Sequence, residues 1–192
     1  MLFLVWLTTG RIVTVASEGH RSASKEYFEE RSLRCEVPIG PLGMYSRAKL
    51  CNVLFTRELQ RRLKQRAAPG EPHILCFTLH PGCVWSNIWE WPVLLPCLHD
   101  YTYAIAGFYS RMLMRTGEEG SADIVMLGSA PATEQLRALA GGYFLNCKPF
   151  EPSSLAKDSE LSDSLWSRSE RIINEVLMNT VDEASRVSLP EL

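Results

Sequence analysis

The sequence predicts an α/β fold built on a parallel sheet, and three observations support this class. The stretches "RIVTVAS" (11–17) and "HILCFTLHPG" (73–82) are mainly apolar, as strands buried on both faces of a parallel sheet are. Between them, apolar residues recur every four positions from 44 to 66, which is the spacing of an amphipathic helix. Strands that alternate with a helix in this way form a parallel sheet with crossover connections.

The first half of the chain is divided by clear breaks. A polar, charged segment at 18–36 follows the first strand, and two prolines and two glycines between 38 and 43 then break the chain before the helix. Pro69 and the glycine after it end the helix. Its predicted buried stripe consists of apolar residues four positions apart, widened by two neighbours: Cys51, Phe55, Leu59, Leu63, Val53 and Leu54.

The second half contains one mixed region and three further elements. Residues 85–115 are an apolar loop or short-helix region, open to two interpretations: the wall of an apolar substrate pocket, or plain core packing. A helix is predicted over 118–129 and a short third strand over "GGYFLN" (141–146). A last helix is predicted over 159–178, because a capping pattern precedes an apolar repeat there.

Composition excludes several classes of partner. A net charge of −2 over 192 residues gives no footprint for nucleic acid or for an anionic membrane surface. The apolar opening "MLFLVWL" is too short to span a bilayer, and prolines and charged residues interrupt the apolar stretch at 91–110, so membrane association is not indicated. Six scattered cysteines and the lack of an Asn-x-Ser/Thr sequon favour free thiols in a reducing compartment, with the cytoplasm as the expected location.

One set of residues has spacing that suggests a metal site. His73, Cys76, His80 and Cys83 recur at intervals typical of zinc ligands. However, residues 73–80 are predicted to be extended, which separates the ends by about 20 Å and sends His73 and Cys76 to opposite faces. We therefore predict no metal ion.

A different set of residues is predicted to converge. In open parallel sheets, ligands bind beyond the carboxyl ends of the strands. Ser17 ends the first strand, and Pro81 and Gly82 end the second. Tyr45 and Lys49, four positions apart, share one face of the connecting helix near its amino terminus. A right-handed crossover returns that helix to the sheet, so all of these residues can face one point.

These side chains suit hydride transfer between a nicotinamide cofactor and a carbonyl/alcohol pair. Free tyrosine has a pKa of about 10, and a nearby ammonium group such as that of Lys49 lowers it, so that Tyr45 can exchange a proton near neutral pH. A serine hydroxyl can hold a carbonyl or a developing alkoxide in place. The alternative is that Tyr45 and Lys49 are two ordinary residues on a solvated helix face, since Tyr-x-x-x-Lys also occurs by chance.

Four stretches of the chain resemble the short-chain dehydrogenase/reductase family, and more closely its retinol-dehydrogenase-like branch. They are "RIVTVASEGHR", "YSRAKLCNVLFTRELQRRL", "LHPGCVWSNI" and "GGYFLNCKPFEPSSLAKDSELSDSLWSRSERII". The resemblance covers residues from about 10 to 178 in order. It implies one partial domain (1–192), the carboxyl-terminal half of a Rossmann-like parallel sheet with about three strands, whose amino-terminal cofactor half is absent.

The resemblance also implies roles for the matched residues. Ser17 would orient the substrate oxygen, Tyr45 would be the acid/base, and Lys49 would bind the cofactor ribose and lower the pKa of Tyr45. Residues lining the nicotinamide end would be Pro81, Gly82, Val84 and Ser86. The gap of 28 residues between Ser17 and Tyr45 is long for the family and typical of this branch, and Ala16 replaces the first serine of the usual pair.

The resemblance leaves parts of the family's machinery without a match. No Gly-x-x-x-Gly-x-Gly segment precedes Ser17, and the family's catalytic Asn has no counterpart. We therefore expect the first strand to present an open edge, and the chain alone to bind NAD or NADP weakly and to turn over little. The expected substrate is a small lipophilic carbonyl or alcohol such as a retinoid or steroid. The alternative is a non-catalytic interaction module that forms a homo- or heterodimer through this edge or through the helix at 44–66.

Overall fold

The structure is a computed structural model that describes residues 10–67, 74–84 and 114–187, with backbone only from 179 onward. Predicted residues His73 and Ser86, and nearly all of the apolar region 85–115, lie outside this part of the chain. The helices and strands in chain order are β1 (Arg11–Val15), α1 (Glu30–Leu33), α2 (Gly40–Arg66), β2 (Leu75–His80), α3 (Gly117–Ser129), α4 (Glu134–Ala138), β3 (Tyr143–Leu145), β4 (Lys148–Pro149) and α5 (Ser159–Val187).

The sheet has four strands in the order β1-β2-β3-β4, and the predicted α/β class is confirmed. β1, β2 and β3 are parallel, as expected, with Val15 beside Leu79. The predicted parallel part has three strands, and a fourth strand that was not predicted, β4, pairs antiparallel with β3, so the sheet is mixed. Asn146 and Cys147 join these two strands with φ of 55° and 57°, the left-handed geometry of a two-residue hairpin turn, which asparagine tolerates.

β1 and β2 differ in burial although their sequences are alike. Five of the six residues of β2 are buried. β1 pairs only with β2 among the described residues, and the side chains of Ile12 and Val15 are 36% and 37% exposed. The interpretation of β1 as a strand buried on both faces is therefore wrong, and within the described part of the chain its outer edge is unpaired, as expected.

α2 begins four residues earlier than predicted. It starts at Gly40 instead of 44, and Pro41 lies in its first turn. Proline is tolerated there because the first amide hydrogens of a helix have no partner within the helix. The prolines and glycines that were interpreted as a break are thus partly the start of the helix. Tyr45 and Lys49 lie in its second and third turns.

The buried face of α2 also differs from the predicted stripe. Leu50, Val53 and Leu54 are fully buried against the sheet. Phe55, predicted to be in the stripe, is 45% exposed and stacks instead on Trp166 of α5, with ring centroids 5.4 Å apart. A helix covered on one side by a sheet and on another by a second helix has two apolar faces, so a single four-residue repeat does not describe it.

Two hydrophobic clusters cover the two faces of the sheet. The cluster on the α2 face contains Leu50, Leu54 and Tyr143, while the cluster on the α3 face contains Phe77, Leu127 and others. Parallel sheets require this two-sided cover because both of their faces are apolar. The carboxyl ends of β1 and β2 therefore lie between α2 and α3, where either helix can support the turns that follow them.

The remaining boundaries match the predictions within a few residues, except for α5. α3 begins at Gly117 behind a capping box formed by Thr116 and Glu119. The third strand shortens to Tyr143–Leu145, and α5 continues to Val187 rather than ending at 178. The polar segment 18–36, for which no structure was predicted, contains two 3-10 helices and α1.

Candidate active site

Ser17 lies where β1 ends and a 3-10 helix (Glu18–Ser22) begins. Its side chain caps that helix, because Oγ accepts a hydrogen bond of 3.2 Å from the backbone N–H of Gly19. The residue before it, Ala16, donates its N–H to the carbonyl of Leu79 at 2.8 Å, which extends the ladder with β2 by one step. Ser17 is thus fixed at the carboxyl edge of the sheet, with its hydroxyl oriented by the turn.

The ring of Tyr45 lies against this same turn. A Cβ atom added to Gly19 would be 2.8 Å from Tyr45 Cε1 and 3.5 Å from Ser17 Oγ. The phenol ring and the serine hydroxyl therefore both lie within 3.5 Å of one point, and only a glycine leaves room for that approach. The structure brings together the first two of the predicted catalytic residues.

Lys49 lies one turn beyond Tyr45 on the same helix face. Its ammonium is 5.7 Å from the centroid of the Tyr45 ring and 3.5 Å from the carbonyl oxygen of Val15. Asn52 donates from Nδ2 to the same carbonyl at 3.1 Å. The last carbonyl of β1 thus anchors two side chains of α2, which orients the helix over the Ser17 turn. An ammonium has three donors, and one carbonyl engages only one of them.

Pro81 and Gly82 follow β2 at the same edge. In the register of the sheet, Val15 lies beside Leu79, so Ser17 and Pro81 each follow that pair by two residues. Gly82 has a φ of +86°, and a Cβ there would be 2.7 Å from the side chain of Arg115. Glycine is required here by backbone geometry and by the nearby Arg115 side chain. The predicted contact of Pro81 and Gly82 with a cofactor stays a prediction.

Val84 is directed toward α3. It forms a parallel bridge with Arg115, whose backbone N–H donates to the carbonyl of Cys83 at 2.8 Å. Its side chain occupies the space beside Gly120, so close that a Cβ on Gly120 could not be accommodated. The predicted role of Val84 at the nicotinamide end stays a prediction, as does that of Ser86, which lies outside the described residues.

Comparison with known proteins finds relatives that match most of the chain. WW domain-containing oxidoreductase of Pongo abelii is 33% identical over 175 residues, covering 87% of this chain and 38% of that protein. Retinol dehydrogenase 14 of Homo sapiens is 31% identical over 163 residues, covering 85% and 44%. Short-chain dehydrogenase TIC 32 B, chloroplastic, of Brassica napus is 25% identical over 165 residues, covering 86% and 47%. No protein-family model matches the chain.

The chain belongs to the short-chain dehydrogenase/reductase family. Its similarity is to the branch that contains the retinol dehydrogenase and the WW domain-containing oxidoreductase, as the resemblance predicted. The chain spans about two-fifths of the length of these relatives. A crystal structure of an uncharacterised protein from Mycobacterium paratuberculosis superposes with a TM-score of 0.54 at 23% identity, covering 85% of this chain and 50% of that one, which supports the fold alone.

Beneath the Ser17 turn lies a group of buried and half-buried polar side chains that sequence reasoning missed. His20 is wholly buried, and its ring contacts that of Tyr143 on β3 at 5.0 Å between centroids. Burial lowers the pKa of His20, and burial together with the Glu18 carboxylate raises the pKa of Tyr143. At the end of β2, burial likewise lowers the pKa of His80. Both histidines are therefore neutral at pH 7.

Other supporting residues were also missed, and they differ in whether the sequence gives a signal for them. Asn52 could have been found, since it follows Lys49 by three positions and shares its helix face. His20 follows Ser17 by three positions, within reach of the turn that the serine caps. Arg115 gives no local signal, because it lies far from Gly82 in the sequence and only the fold brings the two residues together. Its Nη2 donates to Asn146 of the β3–β4 turn.

No group of three or more His, Cys, Asp or Glu side chains within 10–67, 74–84 and 114–178 is arranged to hold a metal ion. The five cysteines in the described part of the chain have free thiols, and burial raises the pKa of Cys51 and Cys76 to about 11. None of the described helices combines the length and the apolar character needed to cross a membrane.

Proposed function

We propose that the chain carries the substrate-reducing half of an oxidoreductase that transfers hydride between NAD(P)(H) and a small lipophilic carbonyl or alcohol. The observation that carries this proposal is the approach of Tyr45 and Ser17 to one point above Gly19, with Lys49 on the same helix face. A hydroxyl, a phenol and an ammonium at the carboxyl edge of a parallel sheet are the groups that carbonyl reduction needs.

Each side chain has a distinct task in the direction of reduction. Ser17 Oγ accepts from the Gly19 amide, so its own hydrogen can be donated to the substrate oxygen. Tyr45 gives its phenolic proton to that oxygen as the carbonyl carbon is reduced, which leaves a phenolate. The Lys49 ammonium stabilises the phenolate through its positive charge. In the direction of oxidation, the phenolate takes the proton back.

The nicotinamide cofactor, when bound, supplies the hydride and is oxidised as the carbonyl is reduced. The residues at the sheet edge fit such a group in part. Lys49 has donors beyond the one directed at Val15, which suits ribose hydroxyls. Pro81 and Gly82 lie beside Ser17, where the reacting end would be placed, with Val84 and Ser86 following. Nothing in the printed sequence supplies a glycine-rich pyrophosphate cradle, so we propose that this chain alone binds NAD(P)H weakly.

The proposal is tested by joining the chain to the glycine-rich amino-terminal half of a retinol-dehydrogenase-like relative. The joined protein is expected to reduce a lipophilic aldehyde with NADPH, and Tyr45→Phe or Ser17→Ala to lower kcat about 100-fold. Tyr27→Phe is the matched control, because it removes another phenolic hydroxyl, one that lies close to Gly43 in the first turn of α2 and has no proposed role in the reaction. Full activity in Tyr45→Phe would contradict the proposed role.

Binding provides a second, independent test. Isothermal titration of the chain with NADPH is expected to show weak binding, and the joined protein to bind in the micromolar range or better. Lys49→Ala in the joined protein is expected to weaken cofactor binding, whereas Lys64→Ala, on a distant turn of α2, leaves it unchanged. Micromolar affinity of the 192-residue chain by itself would contradict the proposal that it lacks a sufficient cofactor site.

A second candidate function, a non-catalytic interaction module, is favoured by two exposed apolar surfaces. β1 presents an open edge with Ile12 and Val15 part-exposed. The outer face of α5 carries four apolar side chains that are more than half exposed: Ile173, Val176, Leu177 and Met178. We propose that such surfaces allow a homo- or heterodimer. Analytical ultracentrifugation should then show dimers that Ile12→Lys weakens and that Leu42→Lys, at an exposed site of α2, does not.

A further inference from the structure

His20 is the most completely bonded side chain near the Ser17 turn. Its Nδ1 lies 2.7 Å from the carbonyl oxygen of Ser17, and its Nε2 lies 3.0 Å from the backbone nitrogen of Ser153. The ring is 0% exposed. It therefore connects the turn after β1 with the segment after β4, which is 133 residues away in the sequence.

These two partners fix the tautomer of the ring. A backbone N–H can only donate, so Nε2 must accept from Ser153. A carbonyl oxygen can only accept, so Nδ1 must carry the hydrogen that it donates to Ser17. Only the neutral Nδ1–H form meets both conditions, because protonation would place a second hydrogen on Nε2 against the Ser153 N–H.

The surroundings of the ring favour that neutral form. The ring packs against Tyr143 in the cluster on the α2 face of the sheet. Burial lowers the pKa of His20 and outweighs the hydrogen bond to the Ser17 carbonyl, which raises it. The Arg21 guanidinium adds to the lowering, and the Glu18 carboxylate opposes it. A neutral imidazole in this place costs little and satisfies both buried backbone groups.

We propose that His20 is a positioning residue, whose Nδ1–H imidazole clamps the Ser17 turn to the segment at 150–154 and so holds Ser17 and Gly19 against Tyr45. The carbonyl of Ser17 accepts two hydrogen bonds, from Nδ1 and from the backbone N–H of His20 at 3.1 Å. These bonds fix the Ser17–Glu18 peptide plane, and the next peptide carries the Gly19 N–H that donates to Ser17 Oγ. The positioning role rests on the proposed function of Ser17, whereas the clamp itself does not.

The clamp is tested on the 192-residue chain, without cofactor or activity. NMR of the ¹⁵N-labelled histidine rings is expected to show His20 as the Nδ1–H tautomer from about pH 6 to about pH 8. The Gly19 and Ser153 amides are expected to be protected from hydrogen exchange. An Nε2–H tautomer, or titration of His20 within this range, would overturn the clamp.

Three variants separate the two hydrogen bonds. His20→Asn can still donate to Ser17 through its amide nitrogen, whereas His20→Gln can reach only the Ser153 N–H. His20→Phe keeps the ring contact with Tyr143 and loses both bonds. Gly19 protection is expected to survive in His20→Asn and to be lost in His20→Phe. The control, Thr133→Ala, removes a helix cap far from the turn, so it lowers global stability without loss of Gly19 protection.

Activity of the joined protein then tests positioning. His20→Phe and His20→Gln are expected to lower kcat about 10- to 100-fold with KM for NADPH unchanged, and His20→Asn to restore most of the loss. Unchanged kcat in both variants, in a protein that depends on Ser17, would overturn the positioning role. If Ser17→Ala itself has no effect on kcat, the proposed function fails, while the NMR result on the clamp stands. If His20→Phe does not fold, the NMR tautomer of His20 still tests the clamp. The comparison of kcat between His20→Asn and His20→Gln then tests positioning.

Discussion

The turns that follow β1 and β2 lie at the same edge of the sheet, but they are supported from its opposite faces. The first turn, at 17–20, bonds within itself and packs against α2, where the Tyr45 ring covers Gly19. The second turn, at 81–84, is held from the α3 side by Arg115, whose side chain lies against Gly82 and whose Nη1 is 3.4 Å from the carbonyl of Pro81. One site thus depends on two separate packing layers.

This difference determines how each turn can fail. The first turn carries most of its own hydrogen bonds within four residues, and His20 adds one long-range bond. The second turn is supported by the Arg115 guanidinium, which also donates to Asn146. Asp123 in turn supports the Asn146 turn. We therefore expect substitutions on the α3 side to loosen the Pro81–Gly82 turn while leaving the Ser17 turn intact.

Loss of Asp123 is expected to have the largest effect. Its carboxylate is 2% exposed and accepts hydrogen bonds from the backbone N–H groups of Asn146 and Cys147. Asp123→Ala removes two hydrogen bonds to a charged carboxylate that hold the β3–β4 turn, which should lower the free energy of unfolding by about 3 kcal/mol. Urea denaturation measures this change. Glu118→Ala, exposed on the same helix, is the control, and an equal loss in both variants would contradict this role of Asp123.

Substitution of Gly82 is expected to be the next largest effect. Gly82→Ala places a Cβ 2.7 Å from Arg115 at a φ of +86°, so it should cost about 2 kcal/mol in unfolding free energy. Gly128→Ala is the matched control, because that glycine lies in α3 with open space around it and should be neutral or slightly stabilising. In a double-mutant cycle, Arg115→Ala should restore the part of the unfolding free energy that Gly82→Ala loses through the clash. If nothing is restored, backbone strain at Gly82 accounts for the whole loss.

The same two turns show what the sequence could and could not predict. Ser17, Tyr45 and Lys49 were recognisable because strand ends and a helix face obey simple periodicities, and the parallel order of β1, β2 and β3 followed from the alternation of elements. Arg115 and the strand β4 were not, since a two-residue strand and a long-range contact leave no periodic pattern. The buried face of α2 was misassigned because two packing partners, the sheet and α5, both impose apolar residues on it.

A fall in pH is expected to weaken both turns by a smaller amount. Burial lowers the pKa of His20 and of His80 below the ordinary value of about 6.5, so the unfolded chain binds protons first as the pH falls. Their contribution to stability is complete above about pH 6.5 and is lost as the pH decreases below it. Glu18 and Asp123 oppose the shift at His80, and Arg115 and His20 add to it.

Thermal unfolding at several pH values measures this dependence. The midpoint temperature of unfolding is expected to decrease as the pH is lowered from about 7 to about 5. This range lies above the pH at which carboxylates titrate. The His20→Phe variant should show a shallower fall, and a variant that also carries His80→Phe a shallower one still. An identical slope in all three proteins would mean that neither buried histidine is linked to folding.

The smallest effect is expected at Glu30, where α1, which follows the Ser17 turn, meets α5. Its carboxylate accepts two hydrogen bonds from Arg171, at 2.8 and 2.7 Å, and these lower the pKa of Glu30 to about 2. The pair is exposed to solvent, so its charges are screened and side-chain ordering offsets their attraction. Glu30→Gln should therefore lower the thermal midpoint at pH 7 only slightly, and less in high salt than in low salt.

This change can be separated from the effects on the two turns. Because the folded-state pKa is depressed, the contribution of Glu30 is present above about pH 4.5 and is lost as the pH falls toward 2. Glu29→Gln, one residue earlier and exposed, is the control. A loss in Glu30→Gln as large as that in Gly82→Ala, insensitive to salt, would show that the segment after the Ser17 turn is held chiefly by its contact with α5. The first turn would then depend on distant support as much as the second does.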